Sequence, residues 1–285
     1  IVQLDPSDIK TKEVFNWKGY HLLHFYGSAC SQKLRIFLSL KKIKWKSHQI
    51  NLQKQEQFDD WFLGINPRGL VPTLVYNGNV YIESNDIMFF IESINTNINL
   101  IPNKYIKEIE ENLAYEDSLH HDLRILTFRF IVPHFLGKKN LKKLNNKKNN
   151  KGTIKGEIDI KKDKEVDFWM NHHKFGITDE QVNESFKKFS EAVTKIELKL
   201  TKNSYILNNE ITVLDIAWFI NINRIVKAGF DLKNKYPNTN KWYKKLKSNK
   251  NFSKEVKEDL PIKIIVNMFR LYNFFTGNLL RNIVR

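Results

Sequence analysis

The sequence predicts two domains in tandem: an α/β domain on a four-stranded mixed sheet, then an all-helical domain. Three observations carry this. Residues 21–94 change period in the order strand, helix, strand, helix, strand, strand, helix. Residues 95–103 are rich in Asn and end in Ile101-Pro102, as a linker does. From Tyr105 onward the apolar residues recur at helical spacing.

The elements follow in order. Residues 1–19 are polar and mixed, which predicts an extension lying on the surface. His21–Tyr26 is a short apolar run ended by Gly27, a strand pattern. Ser31–Ile43 has Leu34, Phe37, Leu38 and Leu40 on one face, and puts Lys33, Arg35, Lys41 and Lys42 outside. Trp45–Leu52 alternates as a second strand, and Glu56–Ile65 reads as a short helix closed by Asn66-Pro67. Thr73–Tyr76 and Val80–Ile82 flank Asn77-Gly78-Asn79, a hairpin signal, before a helix over 84–94. The βαβ half implies parallel strands and the ββα half an antiparallel hairpin. In the second half, 106–136 reads as a long helix or as a helix with a kink before Pro133, and 179–200 as an amphipathic helix. Thr212–Ala228 is apolar on most faces, which predicts a buried helix; shorter helices follow at 237–246 and 252–257. The domains so drawn are 1–19, 20–97, a linker at 98–106, 107–258 with a basic insertion at 137–166, and a tail at 259–285.

Composition bounds the function. The 285 residues include 41% hydrophobic and 13% aromatic side chains, enough for a packed core. A single Cys excludes a disulfide framework and a cysteine-rich zinc site. No apolar run approaches the roughly 18–20 residues of a membrane-spanning helix. The chain opens on Ile1, which leaves a removed leader open, although residues 1–20 do not read as a signal peptide. The net charge of +16 raises the question of nucleic acid, but about half the excess sits in Lys138–Lys164. That reads as a solvated charged loop rather than a nucleic-acid surface. The insertion is either a disordered spacer, the plainer reading, or a lid. The tail carries Ile264, Met268, Phe269, Leu271 and Phe275 with Lys263, Arg270, Arg281 and Arg285. It reads as an extra packed helix, or as a weak contact of 261–285 with an anionic membrane surface.

The candidate site lies at Gly27-Ser28-Ala29-Cys30-Ser31, between the first strand and the first helix. Ligands in open α/β sheets bind beyond the carboxyl ends of strands, where helix N-termini favour anions, thiolates included. The plainer role of Ser28 or Ser31 is to cap the helix. Gly69-Leu70-Val71-Pro72-Thr73 precedes the third strand, where a cis Val71–Pro72 bond would turn the Val71 backbone toward an extended peptide. Ser84 can cap the third helix, whose N–H groups can hold a carboxylate, and Glu83 can take an ammonium. These parts suit a small peptide with a thiol, a free amine and carboxylates.

With those residues in hand a resemblance is plain. Residues 21–94 resemble the thioredoxin-like domain of the glutathione transferases. YGSACSQKLRIFLSLKKI (26–43) is similar to the zeta-class pattern, and WFLGINPRGLVPTLVYNGNVYIES (61–84) resembles the bacterial β-etherase-like transferases. ITVLDIAWF (211–219) is similar to a capping box in the family's helical domain, with Thr212 and Asp215. The resemblance spans about residues 20–255 and implies a thioredoxin-like N-terminal domain followed by an all-α C-terminal domain. It implies Ser28 as the catalytic residue, donating to the glutathione sulfur. It implies glutathione as co-substrate, held by Val71 and Pro72, by Glu83 and Ser84 at the γ-glutamyl end, and by Gln57, with Lys54, at the glycyl end. Cys30 is either a small buried hydrophobe or a redox auxiliary forming a mixed disulfide with glutathione. An apolar or aromatic electrophile is expected against Tyr115, His120, Arg124 and Trp169. The implied reaction is conjugation or β-aryl ether cleavage, with isomerisation second because position 29 is Ala where zeta enzymes usually carry Ser. A non-catalytic scaffold or membrane-surface adaptor is the reading from another class. A cytoplasmic homodimer is implied by the family. No metal site is expected: the neighbours His120-His121 and His172-His173 point about 100° apart on a helix.

Overall fold

The computed structural model describes residues 1–159 and 161–284; Ile160, within the expected insertion, and Arg285, the last residue of the expected tail, lie outside the described residues. The chain forms two compact units, one of residues 1–98 with 138–176, the other of 99–137 with 177–285.

The first unit holds a five-stranded sheet in the order β1-β5-β4-β2-β3. Its strands and helices are β1 (Val2–Gln3), β2 (Tyr20–His24), α1 (Ala29–Leu40), β3 (Lys46–Gln49), the single turn α2 (Asp60–Leu63), β4 (Thr73–Tyr76), β5 (Asn79–Ile82) and α3 (Ser84–Ile94). β2 and β3 are parallel and the other pairs antiparallel. The β4–β5 hairpin closes on Asn77 and Gly78, both at positive φ, the conformation a two-residue hairpin turn demands. The four expected strands are present, and β1 adds a fifth. Residues 1–19 were expected on the surface; instead Leu4, Ile9 and Val14 are buried in one core cluster with Leu23, Val75, Val80 and Ile82. Their apolar side chains are too sparse to show a period, yet each fills a place under the sheet.

Three lysine and arginine positions on α1 or at its C-terminal cap also depart from expectation. Lys33, Arg35 and Lys41 were placed outside, and all three are buried. Each is paired: Lys33 Nζ donates to Asn85 Oδ1 (2.8 Å), and Lys41 Nζ to Glu92 Oε2 (2.8 Å) and the Ile98 carbonyl (2.6 Å). Buried charge is tolerated where such partners exist.

The insertion was expected as a spacer or lid within the helical domain. It folds, and it groups with the first unit. After the chain passes through α4 (Ile106–Ser118), α5 (His120–Phe130) and the turn α6 (His134–Gly137), it forms α7 (Leu141–Asn149), the hairpin β6 (Thr153–Ile154) and β7 (Glu157–Ile158), and α8 (Lys161–Phe175). Asn140 caps α7, its Oδ1 accepting from the Lys142 and Lys143 N–H groups. The hairpin is pinned by Asp8, whose carboxylate accepts from Thr153 Oγ1 (2.6 Å) and from the N–H of Lys155 (2.7 Å) and Gly156 (3.1 Å). Burial opposes charge on Asp8, but these donors together hold its pKa below the usual carboxylate value.

The second unit is helical. α9 (Asp179–Leu200) starts on a Thr178–Gln181 capping box, and α10 (Val213–Ala228) ends at Gly229, φ 107°, in the left-handed conformation of a helix stop. The helix expected over 106–136 is interrupted before Pro133, as the kinked alternative has it, with α5 ending at Phe130 and α6 starting at His134; a further break that was not expected falls at Leu119, where the backbone leaves helical geometry between α4 and α5. α10 is buried on nearly every face and packs on α4, α5 and α12 (Pro237–Ser248); the turn α11 (Leu232–Lys235) precedes α12. Asp215 is fully enclosed and accepts from the N–H of Thr212 (2.9 Å) and Ile206 (3.0 Å) and from Trp242 Nε1 (2.8 Å). α13 (Lys250–Val256), α14 (Leu260–Phe275) and the turn α15 (Leu280–Ile283) complete the unit, with α14 against α5 and α15 against α9.

Candidate glutathione-type site

Sheet register assembles the site. Leu23 on β2 pairs with Thr73 on β4, and Thr73 pairs with Ile82 on β5. His24 pairs in parallel with Gln49 on β3. The end of β2, the start of β4 and the ends of β5 and β3 therefore lie along one sheet edge. The loops carrying Ser28, Val71-Pro72, Glu83-Ser84 and Gln57 leave from that edge, where α/β sheets bind ligands.

Ser28 is the N-cap of α1, and its Oγ accepts from the Ser31 N–H at 3.3 Å. The capping role is real and leaves the hydroxyl proton available, since an oxygen that accepts can also donate. Arg35 straps the loop just before it, donating to the carbonyls of Phe25 (3.1 Å) and Tyr26 (2.9 Å). His24 Nδ1 faces Arg35 Nη1 at 3.0 Å and His24 Nε2 faces Ser47 Oγ at 2.8 Å. Burial first, then the Arg35 charge and His48, lower the His24 pKa to about 4. A neutral imidazole suits both contacts: Nδ1 accepts from Arg35 and the Nε2 proton goes to Ser47. Sequence reading took Arg35 for a surface residue; only its depth in α1 reveals the strap. Cys30 sits in the first turn of α1, half-buried and in no disulfide.

The Val71–Pro72 bond is cis, with Val71 half-exposed and Pro72 buried. Gly69 precedes it at φ 61°, and a Cβ there would stand 3.0 Å from the Gln57 carbonyl. Ser84 was expected to cap α3. The helix starts one residue earlier in role: Glu83 is the N-cap, at φ 68°, and buried Ser84 is the first helical residue. A positive φ at a glutamate is a strained conformation of the kind found at ligand sites.

Gln57 lies in a single 3-10 turn, Glu56–Phe58, and is buried. Its Oε1 has no hydrogen-bond partner among the described residues. Amide ends can be exchanged by rotation, so this side chain can present a donor to a carboxylate. Lys54 is exposed.

One residue at this edge escaped sequence reading. Arg68 is buried and donates through Nη1 to Glu83 Oε1, through Nε to Asp159 Oδ2 (2.5 Å) and through Nη2 to Asp159 Oδ1 (3.4 Å). Burial works against its charge, and the two carboxylates overcome it and raise its pKa. The available signal was a basic residue in the Asn66-Pro67-Arg68-Gly69 turn, three before Val71.

The four residues expected against an electrophile divide between the units. Tyr115 on α4 and His120 and Arg124 on α5 are half-exposed in the second. Lys195 Nζ stands 4.5 Å from the Tyr115 ring centre. Both His120 nitrogens face carboxylates, Glu116 at 3.0 Å and Asp117 at 3.1 Å. Trp169 belongs to the first unit and is buried; its indole N–H donates to Glu165 (2.7 Å) and Lys139 lies over its ring. It packs the insertion rather than standing open to a ligand.

The glutathione S-transferase N-terminal domain matches residues 27–94 and the glutathione S-transferase C-terminal domain matches residues 166–257. The chain belongs to the glutathione S-transferase family. A zeta-class glutathione S-transferase of Euphorbia esula is 41% identical over 71 residues, 25% of this chain and 32% of that one. A maleylpyruvate isomerase of Ralstonia sp. is 37% identical over 71 residues, 25% of this chain and 34% of that one. The chain thus spans about a third of the length of these curated relatives. Among solved structures, the β-etherase LigF of Sphingobium sp. shares the fold, with a TM-score of 0.68 and 21% identity over 83% of this chain and 98% of that one. A delta-class glutathione transferase of Nilaparvata lugens has a TM-score of 0.60 and 21% identity over 88% and 99%. The transferase architecture, a thioredoxin-like domain followed by helices, is the fold of this chain. α7 and the β6–β7 hairpin fall between the two matched stretches. Among the described residues no helix is long and apolar enough to cross a membrane.

Proposed function

We propose that the protein is a glutathione transferase that activates the glutathione thiolate for attack on an apolar or aromatic electrophile. The observation carrying this is the shared sheet edge, which gathers Ser28, Val71-Pro72, Glu83-Ser84 and Gln57. The Ser28 hydroxyl donates to the sulfur anion, and the N-terminus of α1 favours its charge. Val71 pairs with the cysteinyl backbone, Glu83 and Ser84 hold the γ-glutamyl end, and Gln57 meets the glycyl carboxylate. The thiolate forms a C–S bond to carbon as the leaving group departs with its electron pair and takes a proton from water. Conjugation or aryl-ether cleavage ranks first, supported by the fold shared with a β-etherase. Isomerisation ranks second, supported by the isomerase relative. Tyr115, His120 and Arg124 are the residues to vary for the electrophile. The working form is a homodimer, to be checked by light scattering.

Calorimetry with glutathione tests the reading, on the intact protein and on Ser28→Ala. The intact protein should bind, and Ser28→Ala should bind similarly yet lose about 100-fold in turnover, as enzymes do on losing one donor to a reacting anion. No binding by the intact protein sinks it. Cys30, in the first turn of α1, is the auxiliary thiol of this reading: its thiolate attacks glutathione disulfide, forming the mixed disulfide and releasing one reduced glutathione, and an adduct formed from glutathione disulfide by the intact protein but lost in Cys30→Ala would mark that role.

A second reading is supported by α14. Leu260, Ile264, Met268, Leu271 and Phe275 share one helix face and are 49–76% exposed. Lys263 and Arg270 lie beside that face, and no acidic residue occurs from 260 to 284. Such a helix suits weak binding to an anionic lipid surface. Deleting residues 261–285 should abolish binding to phosphatidylserine vesicles and leave thiol transfer intact; unchanged vesicle binding refutes it.

A further inference from the structure

Resting on the glutathione reading, we propose that Asp159, supplied by the insertion, is a positioning residue that keeps Glu83 able to take the α-ammonium of the γ-glutamyl group. Arg68 lies between the two carboxylates, its side chain 8% exposed, with Asp159 at 11% and Glu83 at 27%. Glu83 is thus the member of the trio open to a ligand.

Charge decides what the trio can bind. Arg68 paired with Glu83 alone is neutral, and a guanidinium on the Glu83 carboxylate competes with any arriving ammonium. Asp159 takes the Nε and Nη2 sides of the fork and leaves Nη1 to Glu83 Oε1. Three charges then sum to a single negative one, and Arg68 occupies only the Oε1 side of the Glu83 carboxylate. In a site of low dielectric such a residual charge matters more than it would in water. The insertion also reaches the opposite, glycyl end of the same edge. The Asn140 N–H donates to Gln55 Oε1 (2.8 Å), Lys143 Nζ to the Lys54 carbonyl (2.9 Å), and Asn146 Nδ2 to the Phe58 carbonyl (2.8 Å). These contacts brace the turn carrying Gln57. The insertion is therefore part of the site's frame, and Asp159 is its electrostatic contribution.

The experiment compares two peptides on the full chain: reduced glutathione, and glutaryl-cysteinylglycine, which lacks only the ammonium. Affinities are measured by calorimetry for the intact protein, Asp159→Asn, Asp159→Ser and Asp159→Glu, with thermal melts as a check on folding. Asn keeps an acceptor for Arg68 and removes the charge; the Ser variant stands in should Asn fail to fold. The intact protein should prefer glutathione by roughly tenfold. Asp159→Asn should bring that preference close to unity by weakening glutathione alone, while Asp159→Glu should retain it. Equal weakening of both peptides, or a preference kept in the neutral variants, overturns the assignment while the glutathione reading stands. Failure of the intact protein to bind either peptide overturns both.

Discussion

The insertion at 138–165 and the tail at 259–284 both lie outside the stretches that match the transferase domains, and they are attached in opposite ways. The insertion is rich in lysine, yet polar contacts fasten it to the first unit: Asp159 to Arg68, Thr153 to Asp8, Asn140 to Gln55. The tail is rich in apolar side chains, yet only one stripe of α14, at Ile262, Val266, Phe269 and Asn273, is shielded, and the opposite face is open to solvent. Directional contacts fix a segment in one register, because an unpaired buried group is costly. An apolar stripe holds a helix with fewer geometric demands. Hydropathy alone therefore ranks these two segments in the wrong order for burial.

The largest effect expected is that of Arg68→Ala. It leaves two carboxylates facing each other without their cation and should cost about 3–5 kcal/mol in denaturant unfolding. A loss under 1 kcal/mol would remove the polar anchor from the comparison.

Asp8→Ala comes next, at about 1–3 kcal/mol, by orphaning the donors on Thr153, Lys155 and Gly156. Its pH dependence has a definite sign. The folded pKa of Asp8 lies below 3.8, so its contribution is full above that value and is lost as pH falls through the folded pKa. His24 acts in another window. Its pKa falls from 6.5 to about 4 on folding, so stability declines as pH falls from 6.5 toward 4. Hydrogen exchange should therefore show the β6–β7 amides opening below pH 3.8 in the intact protein, and already open at pH 7 in Asp8→Ala. The α14 amides should be insensitive to Asp8 across the same range.

Phe269→Ala, in the shielded stripe of the tail, should cost about 1 kcal/mol by melting, as a half-buried ring does. Smallest of all, Met268→Lys on the open face should move stability by no more than about 0.5 kcal/mol. If Met268→Lys proves the costlier of the two, the assignment of the two faces is reversed.

Much of the first unit was legible in the sequence because strands and helices there obey their periods. The Asn77-Gly78 turn, the helix after Ser28 and the hairpin before Glu83 follow from local chemistry alone. The loops of the candidate site were legible as loops for the same reason: those carrying Ser28, Val71 and Glu83 each sit at a strand end. What escaped was long-range and polar. Lys33, Arg35 and Lys41 lie on α1 or at its cap, where the helical pattern puts them outside, and their partners are Asn85, His24, the carbonyls of Phe25, Tyr26 and Ile98, and Glu92. Arg68 escaped likewise, because Asp159 is far along the chain in a segment with no hydrophobic period. Trp169 failed differently: an aromatic residue after an insertion suggests a pocket wall, whereas here it is buried, with its N–H on Glu165 and Lys139 over its ring. Buried polar pairs carry no periodic signature, so they surface only when the fold is in hand.

The chain leaves the first unit after residue 98, builds part of the second, returns at 138, and departs again after 176. This has a consequence for synthesis. When the ribosome has delivered β5 and α3, the sheet edge carries Ser28, Val71 and Glu83, but Arg68 has only one of its two carboxylates and Asp8 has none of its insertion donors. The nascent N-terminal unit must wait for residues 140–159 to emerge before its buried charges are balanced. Neither unit corresponds to a contiguous reading-frame fragment. A gene cut at the linker would yield a first half missing Asp159 and Thr153, and a chaperone meeting the growing chain would find a finished sheet with an unfinished rim.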